Sequence, residues 1–266
     1  MTTVAVCGAG GKMGRQVVKA VHEDAELTLV GGIDPNLAGQ DIGQLAGVGD
    51  IGIKMAASLE EVLNGPNKPD VIVDFTSPAI IFNNAKTTLE AGVHIVIGTT
   101  GLTEDQRAEL DAIGRQHNAN ALVAPNFSLG AVMMMKVAAE LAPYFPDVEI
   151  IELHHNHKYD APSGTSILTA KLINEAKQAA GAKAQEDLTR ESLPGARGAK
   201  VDDITIHSVR LPGYVAHQEV IFGGYDETLV VRHDSLSRLS FMPGVVLACK
   251  RIADHAGLTY GLEHYL

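Results

Sequence analysis

The densest chemistry in this 266-residue chain lies in one short segment, Glu152-Leu-His-His-Asn-His-Lys-Tyr-Asp-Ala-Pro-Ser-Gly-Thr165. It places three histidines and one lysine within five positions, His154 to Lys158. Histidine titrates near neutral pH, and a crowded lysine can be lowered towards it, so both can deliver protons. If a strand ran through the segment, His155 and His157 would share one face, and His154 and Asn156 the other. Asp160–Pro162 breaks such a strand. Ser163 is a good N-cap for a helix that opens on Gly164 and Thr165. Cationic side chains beside a helix N-terminus suit carboxylate groups. Two other readings stay open: a solvated polar loop, and a metal site on the His-x-His pair. The metal reading lacks an evident third ligand, and Lys158 would repel the cation.

A second feature lies near the start. Val4-Ala-Val-Cys-Gly-Ala-Gly-Gly-Lys-Met-Gly14 reads as a strand, a glycine turn and the start of a helix. Its spacing departs from G-x-G-x-x-G. Gly8 and Gly10 match, Met13 stands in the third slot, and Gly8, Gly11 and Gly14 form a variant. Glycine permits a tight turn and close approach of backbone to a pyrophosphate. The helix N-terminus adds N–H groups and partial positive charge. Asp34 lies 20 residues past Gly14, at the end of the second expected strand. An acid there accepts hydrogen bonds from the adenosine ribose hydroxyls. A carboxylate that only caps the turn before Pro35 is the simpler alternative. Pro35 and Asn36 offer no positive charge to balance a ribose 2′-phosphate. NADH is therefore the expected preference, and Lys12 on the helix's first turn keeps NADPH possible.

The elements that must position these residues follow from periodicity. Apolar runs at Val4–Cys7, Leu27–Ile33, Val71–Phe75, His94–Gly98 and Ala121–Ala124 alternate with helical patterns at Lys12–Glu23, Ile80–Ala91 and Glu104–Gln116. That alternation predicts an α/β, Rossmann-type, doubly wound parallel sheet. After Asn126 the pattern changes. Helix Leu129–Ala142, strand Val148–Leu153 and helix Ser163–Ala180 precede three β-rich runs, Ile204–Arg210, Gln218–Phe222 and Thr228–His233. These predict a C-terminal α+β domain with an open mixed sheet. A last helix, Pro243–His255, is expected to return to the first domain. The expected division is residues 1–126 plus 236–266 for a dinucleotide-binding domain, and 127–235 for substrate binding and oligomerisation.

Composition sets the outer limits. Apolar residues make up 45% and charged residues 20%, enough for a buried core. The net charge of −11 argues against nucleic acid or an anionic membrane as partner. An anionic ligand must then find a local cationic pocket. No segment reaches the roughly 18 apolar residues of a membrane span, and Lys136 and Glu140 break the longest candidate. Val4–Cys7 already reads as a strand with no basic stretch before it, so no secretory leader is expected. Cys7 and Cys249 are expected to be reduced packing residues of a cytoplasmic protein. Met133–Met135 read as core filler, and His207, His217 and His233 as ordinary hydrogen-bonded histidines. Arg210 and Arg238 can each serve a carboxylate, but the sequence does not place them.

Taken together, Gly8-Ala-Gly-Gly-Lys-Met-Gly-Arg15 and the Glu152–Thr165 segment resemble the dihydrodipicolinate reductase family of bacterial lysine (diaminopimelate) biosynthesis. Asp74-Phe-Thr-Ser77, Gly98-Thr-Thr-Gly101 and Ala124-Pro-Asn-Phe-Ser128 fit the same family in the same order. The resemblance implies NAD(P)H held by Gly8, Ala9, Gly10, Gly11, Lys12, Met13, Asp34, Gly98, Thr99, Thr100, Ala124, Pro125, Asn126 and Phe127. It implies reduction of the cyclic dicarboxylate formed from pyruvate and aspartate semialdehyde, giving tetrahydrodipicolinate. His154 would donate and accept a proton, and Lys158 would donate one. His155, Lys158, Ser163, Gly164 and Thr165 would bind the substrate, and no metal is implied. A homotetramer assembled through the second domain's sheet is implied as well. One departure bears on the cofactor: the branch that takes NADPH readily often has arginine where Pro35 stands. Two readings of other classes remain: a non-catalytic dinucleotide-binding regulator, and a metal hydrolase on the histidine cluster.

Overall fold

The computed structural model describes residues 1–182 and 185–266. The chain forms two compact units, Met1–Leu129 with Arg238–Leu266, and Gly130–Ser237.

In the first unit, strands β1 (Thr2–Cys7), β2 (Leu27–Ile33), β3 (Val71–Asp74), β4 (His94–Ile97) and β5 (Ala121–Val123) join a late strand, β11 (Leu258–Tyr260). All pair in parallel, in the order β11-β5-β4-β3-β1-β2. Strand order reverses at β1, which lies between β2 and β3. β3 is buried along its whole length, as expected for a parallel strand covered on both faces. The helices are α1 (Lys12–Glu23), α2 (Ile42–Ala46), α3 (Leu59–Leu63), α4 (Ile81–Glu90), α5 (Glu104–His117) and the late α8 (Met242–Arg251). Local chemistry explains their ends. α1 turns Val17, Val18 and Val21 inward. Thr103 and Gln106 form a reciprocal capping box at α5, Glu104 and Asp105 follow, and Asn118 closes it in a left-handed conformation. α8 packs on α1, and Lys250 joins Asp24 at 3.0 Å.

Three elements of this unit escape the sequence pattern. α2 and α3 have five residues each, too few to show a helical period, although Asp41 and Ser58 cap them. β11 has three residues, and only its pairing with β5 marks it as a strand. The last helix also stops at Arg251 rather than His255, with Ile252–Asp254 tightening into a 3-10 turn.

In the second unit, α6 (Leu129–Leu141) leads into β6 (Asp147–His154). α7 (Gly164–Ala179), β7 (Ala199–Val201), β8 (Ile204–Arg210), β9 (Ala216–Gly224) and β10 (Glu227–Ser235) follow. The sheet runs β10-β9-β6-β8-β7. It is mixed: β6 and β8 are parallel, and the remaining pairs are antiparallel. Val148, Ile150, Ile206, Val220 and Phe222 are buried on the sheet, as are Ala170 and Ile173 of α7. Met134 and Met135 are core residues, whereas Met133 is exposed. No helix among the described residues is long and apolar enough to cross a membrane.

Candidate active site

In the first unit the glycine turn is shaped by backbone collisions. Gly8 adopts φ +75°, and its N–H donates to the Ile33 carbonyl at 2.9 Å. A Cβ at Gly8 would lie 2.6 Å from the Phe75 carbonyl oxygen, and one at Gly14 only 2.0 Å from that of Gly8. A Cβ at Gly10 would meet Leu37 Cδ1 at 2.2 Å and Asp34 Oδ2 at 2.5 Å. Side chains are therefore excluded where the turn meets its neighbours. Gly11 is the N-cap of α1, with no side-chain cap and no acid in the first turn. The helix's positive end stays unneutralised, which fits a pyrophosphate. Asp34 serves two ends: Oδ1 accepts from Asn36 N at 3.1 Å, while Oδ2 lies beside Gly10.

The neighbouring loops are tied by Asp74, a fully buried carboxylate at the end of β3. Its Oδ1 accepts from Thr76 N at 3.0 Å, Thr76 Oγ1 at 2.6 Å and Thr99 Oγ1 at 2.9 Å. Oδ2 accepts from Asn84 Nδ2 at 2.8 Å. Four donors replace the water this carboxylate loses. The Phe75 ring fills the space beside Gly98, where a Cβ would come within 2.1 Å of it. It also lies 5.7 Å from the Phe127 ring. Ala124 N donates to the Ile97 carbonyl at 3.1 Å. The glycine turn, Asp34, Gly98–Thr100 and Ala124–Phe127 thus collect at the carboxyl ends of the parallel strands, where doubly wound sheets hold ligands. Asp74 and Phe75 carry no role in the sequence reading. Their signal was an acid and an aromatic ring at the end of an otherwise apolar strand.

In the second unit the strand does not run through the histidine segment. β6 ends at His154, and Lys158 N turns back to the His155 carbonyl at 3.2 Å. His155 Nδ1 accepts from His157 N at 3.2 Å. The condition for His155 and His157 to share a strand face is therefore not met, and the strand ends within one residue of the expected Leu153. The His155 ring captures a backbone N–H that a strand partner would otherwise need. His154 alone stays on the sheet.

Beneath His154 lies Glu152, two residues back on the same strand face and fully buried. His154 Nδ1 and Glu152 Oε2 are 2.5 Å apart. Arg210 Nη1 and Nη2 fork onto the two Glu152 oxygens, both at 2.8 Å. Burial acts to raise the Glu152 pKa, but hydrogen bonds from His154, Arg210 and Ser208 overcome it and bring the value down to about 2. Arg210 Nη2 also donates to the Asp160 carbonyl at 2.8 Å. Lys158 Nζ pairs with both Asp160 carboxylate oxygens, at 2.8 and 2.9 Å. Ser163 caps α7, accepting from Ser166 N at 3.2 Å. Its hydroxyl is 2.8 Å from that of Ser166, which donates to Gln218 Oε1 at 2.7 Å. A Cβ at Gly164 would meet nothing within 4 Å, and the first turn of α7 has no acid. This helix end is open and electropositive.

Arg210 is one of the two arginines the sequence could not place. It lies 58 positions from Glu152, and only the β6–β8 register, which sets His154 opposite Arg210, brings it there. His207 and His217 do have partners, Glu149 at 2.7 Å and Asp234 at 2.6 Å. Cys7 and Cys249 are free and buried, and burial first of all pushes the Cys249 thiol up to about 12. Such thiols are packing groups rather than nucleophiles.

A glycine turn fit for a dinucleotide in one unit, and a histidine–lysine segment beside an open helix start in the other, are features of the class of nicotinamide-dependent oxidoreductases. Comparison with known proteins narrows the class. Residues 2–127 match the profile of the dihydrodipicolinate reductase N-terminus, and residues 130–266 that of its C-terminus. The chain is 47% identical over 263 residues to the 4-hydroxy-tetrahydrodipicolinate reductase of Syntrophomonas wolfei subsp. wolfei, covering 99% of this chain and 98% of that one. It is 45% identical to the reductase of the same name from Dictyoglomus turgidum, covering 100% and 98%. The solved structure of dipicolinate-bound dihydrodipicolinate reductase from Paenisporosarcina sp. TG-14 superposes with a TM-score of 0.88 at 41% identity, covering 100% of both chains. An amine dehydrogenase from Mycobacterium smegmatis shares the fold alone, with a TM-score of 0.68, 16% identity and coverage of 97% and 94%. The chain belongs to the dihydrodipicolinate reductase family.

Proposed function

We propose that this chain reduces 4-hydroxy-tetrahydrodipicolinate to tetrahydrodipicolinate, with NADH as the preferred cofactor. The observation that carries the reading is the folded Glu152–Thr165 segment. It sets a carboxylate-paired histidine, a lysine and an open, electropositive helix end in one short stretch. The 4-hydroxyl leaves as water, giving a ring carbon conjugated with the imine, and NAD(P)H, when bound, would supply the hydride to that carbon. The chain's own residues do the rest. His154 and Lys158 supply the proton that completes the reduction. His155, Lys158, Ser163 and the Gly164–Thr165 backbone hold the substrate carboxylates, with Ser163 acting through its cap of α7. Gly8–Met13, Asp34, Gly98–Thr100 and Ala124–Phe127 hold the cofactor. The cofactor role falls to residues 1–126 plus 236–266, and substrate binding and assembly to 127–235.

Two features support NADH over NADPH. Asp34 Oδ2 lies beside Gly10, so a ribose 2′-phosphate there would face a carboxylate, and Pro35 supplies no compensating charge. One assay tests both claims: NADH or NADPH absorbance is followed while the condensation product of pyruvate and aspartate semialdehyde is supplied. Substrate-dependent oxidation is expected, with the lower KM for NADH. A lower KM for NADPH would overturn the cofactor preference. NADH binding without turnover would instead identify a regulator, and chelator-sensitive hydrolysis a metal enzyme. A cytoplasmic homotetramer assembled through the β6–β10 sheet completes the proposal. Its expected result is a sedimentation mass of four chains, and a monomer mass would remove it.

A further inference from the structure

We propose that Glu152 and Arg210 are positioning residues for proton delivery. In this arrangement Arg210 fixes Glu152, and Glu152 fixes the His154 ring by its Nδ1, leaving Nε2 to exchange the proton. The inference rests on the reductase reading of His154 and Lys158 and adds two residues to it.

The geometry is a relay of holds. Both Glu152 oxygens are forked by Arg210 at 2.8 Å, and Oε2 also meets His154 Nδ1. A neutral imidazole has one donor and one acceptor nitrogen, so an acceptor at Nδ1 fixes the tautomer. Arg210 does a second thing. Its Nη2 holds the Asp160 carbonyl at 2.8 Å, and the Asp160 carboxylate grips Lys158 Nζ. One guanidinium therefore steadies both proton-bearing side chains. A lysine could not, because it offers a point charge rather than a rigid fork.

A purely structural ion pair is a poor explanation. Val148 and Ile150, which precede Glu152 on the same strand face, are buried apolar residues. Continuing that pattern would put an apolar side chain at Glu152, and such a replacement is often neutral or stabilising. The charge stands where the strand ends under His154. Among the described residues, the charged groups tied into this network are Arg210 on β8 and, on the loop after β6, Lys158 and Asp160. β9 faces His154 with Ala216 and carries the neutral Gln218, and the first turn of α7 has no acid. With its pKa near 2, Glu152 stays anionic throughout the working pH range. Its replacement by glutamine thus removes one fixed negative charge at Nδ1.

The test compares wild type, Glu152→Gln and Glu152→Asp by steady-state kinetics across pH. In wild type, a reaction that needs a proton donor gives a kcat/KM profile that falls on its alkaline side. In Glu152→Gln the fixed negative charge beside Nδ1 is gone, which disfavours the protonated ring, so this alkaline limb of kcat/KM should move to lower pH. kcat should fall by about 10²-fold, with the KM for NADH unchanged. Glu152→Asp keeps the charge but is shorter by one methylene. It should hold the wild-type limb and lose about tenfold in kcat. An unmoved limb in Glu152→Gln overturns the proposal even if kcat falls, because a structural defect alone does that. If Glu152→Gln does not fold, wild-type kcat in Glu152→Asp overturns it. A wild type that fails to reduce substrate removes the functional reading itself. Normal wild-type turnover with unaffected variants removes only this inference.

Discussion

Lys158→Ala is expected to lower turnover by about 10²–10⁴-fold, the usual loss when a positioned proton donor is removed. Lys158 lies beyond the end of β6, in the turn closed by its own N–H to the His155 carbonyl. Alanine keeps that backbone bond. Only the ammonium and its grip on Asp160, 2.8 Å away, are lost. A partly exposed ion pair of this kind contributes little to stability, so the variant should fold normally. NADH affinity should survive, because the glycine turn belongs to the other unit. The substrate KM should rise too, since the same ammonium is proposed to hold a carboxylate. Steady-state kinetics with a separate NADH titration check all three statements. Near-normal turnover would remove Lys158 from the mechanism.

The second large effect is expected at Gly14. In Gly14→Ala the new methyl would fall 2.0 Å from the Gly8 carbonyl oxygen, 2.7 Å from its carbon and 2.8 Å from Ala9 Cα. These are backbone atoms and cannot rotate aside, so α1 must lift away from the turn. Overpacking of this kind costs about 1–3 kcal/mol, and rigid backbone this close puts it at the upper end. The better helix propensity of alanine returns only about 1 kcal/mol. The net result should be a lower denaturation midpoint and a weakening of NADH binding by tenfold or more, by the ~1.4 kcal/mol-per-decade relation. Urea unfolding and a fluorescence titration with NADH read the two effects. Unchanged affinity would mean that the helix start does not hold the pyrophosphate.

Much of the architecture was legible because it is local. The α1 bounds expected from periodicity, Lys12 to Glu23, are those observed. The apolar and polar alternation that predicted a parallel sheet and then a mixed one is a property of neighbouring residues. It needs no knowledge of distant partners. Capping works the same way. Ser163 was readable as an N-cap because its hydroxyl reaches an N–H three residues ahead. Short elements were not readable, because five residues in α2 or three in β11 do not complete a period.

The glycines and the histidine-rich segment were visible in the chain as residue types that carry chemistry at a spacing that permits it. The sequence by itself therefore determined the fold class, the glycine turn and the histidine-rich stretch proposed to handle protons and carboxylates. The tertiary structure alone decided which partners those groups have. It turned one oxygen of Asp34 to a cap and the other to Gly10, and buried Asp74 among four donors. Above all it set Arg210 across from His154 and onto Glu152. Strand register fixes that pairing, and register depends on how whole faces pack. A buried charge, in turn, is tolerable only once its distant counter-charge has arrived.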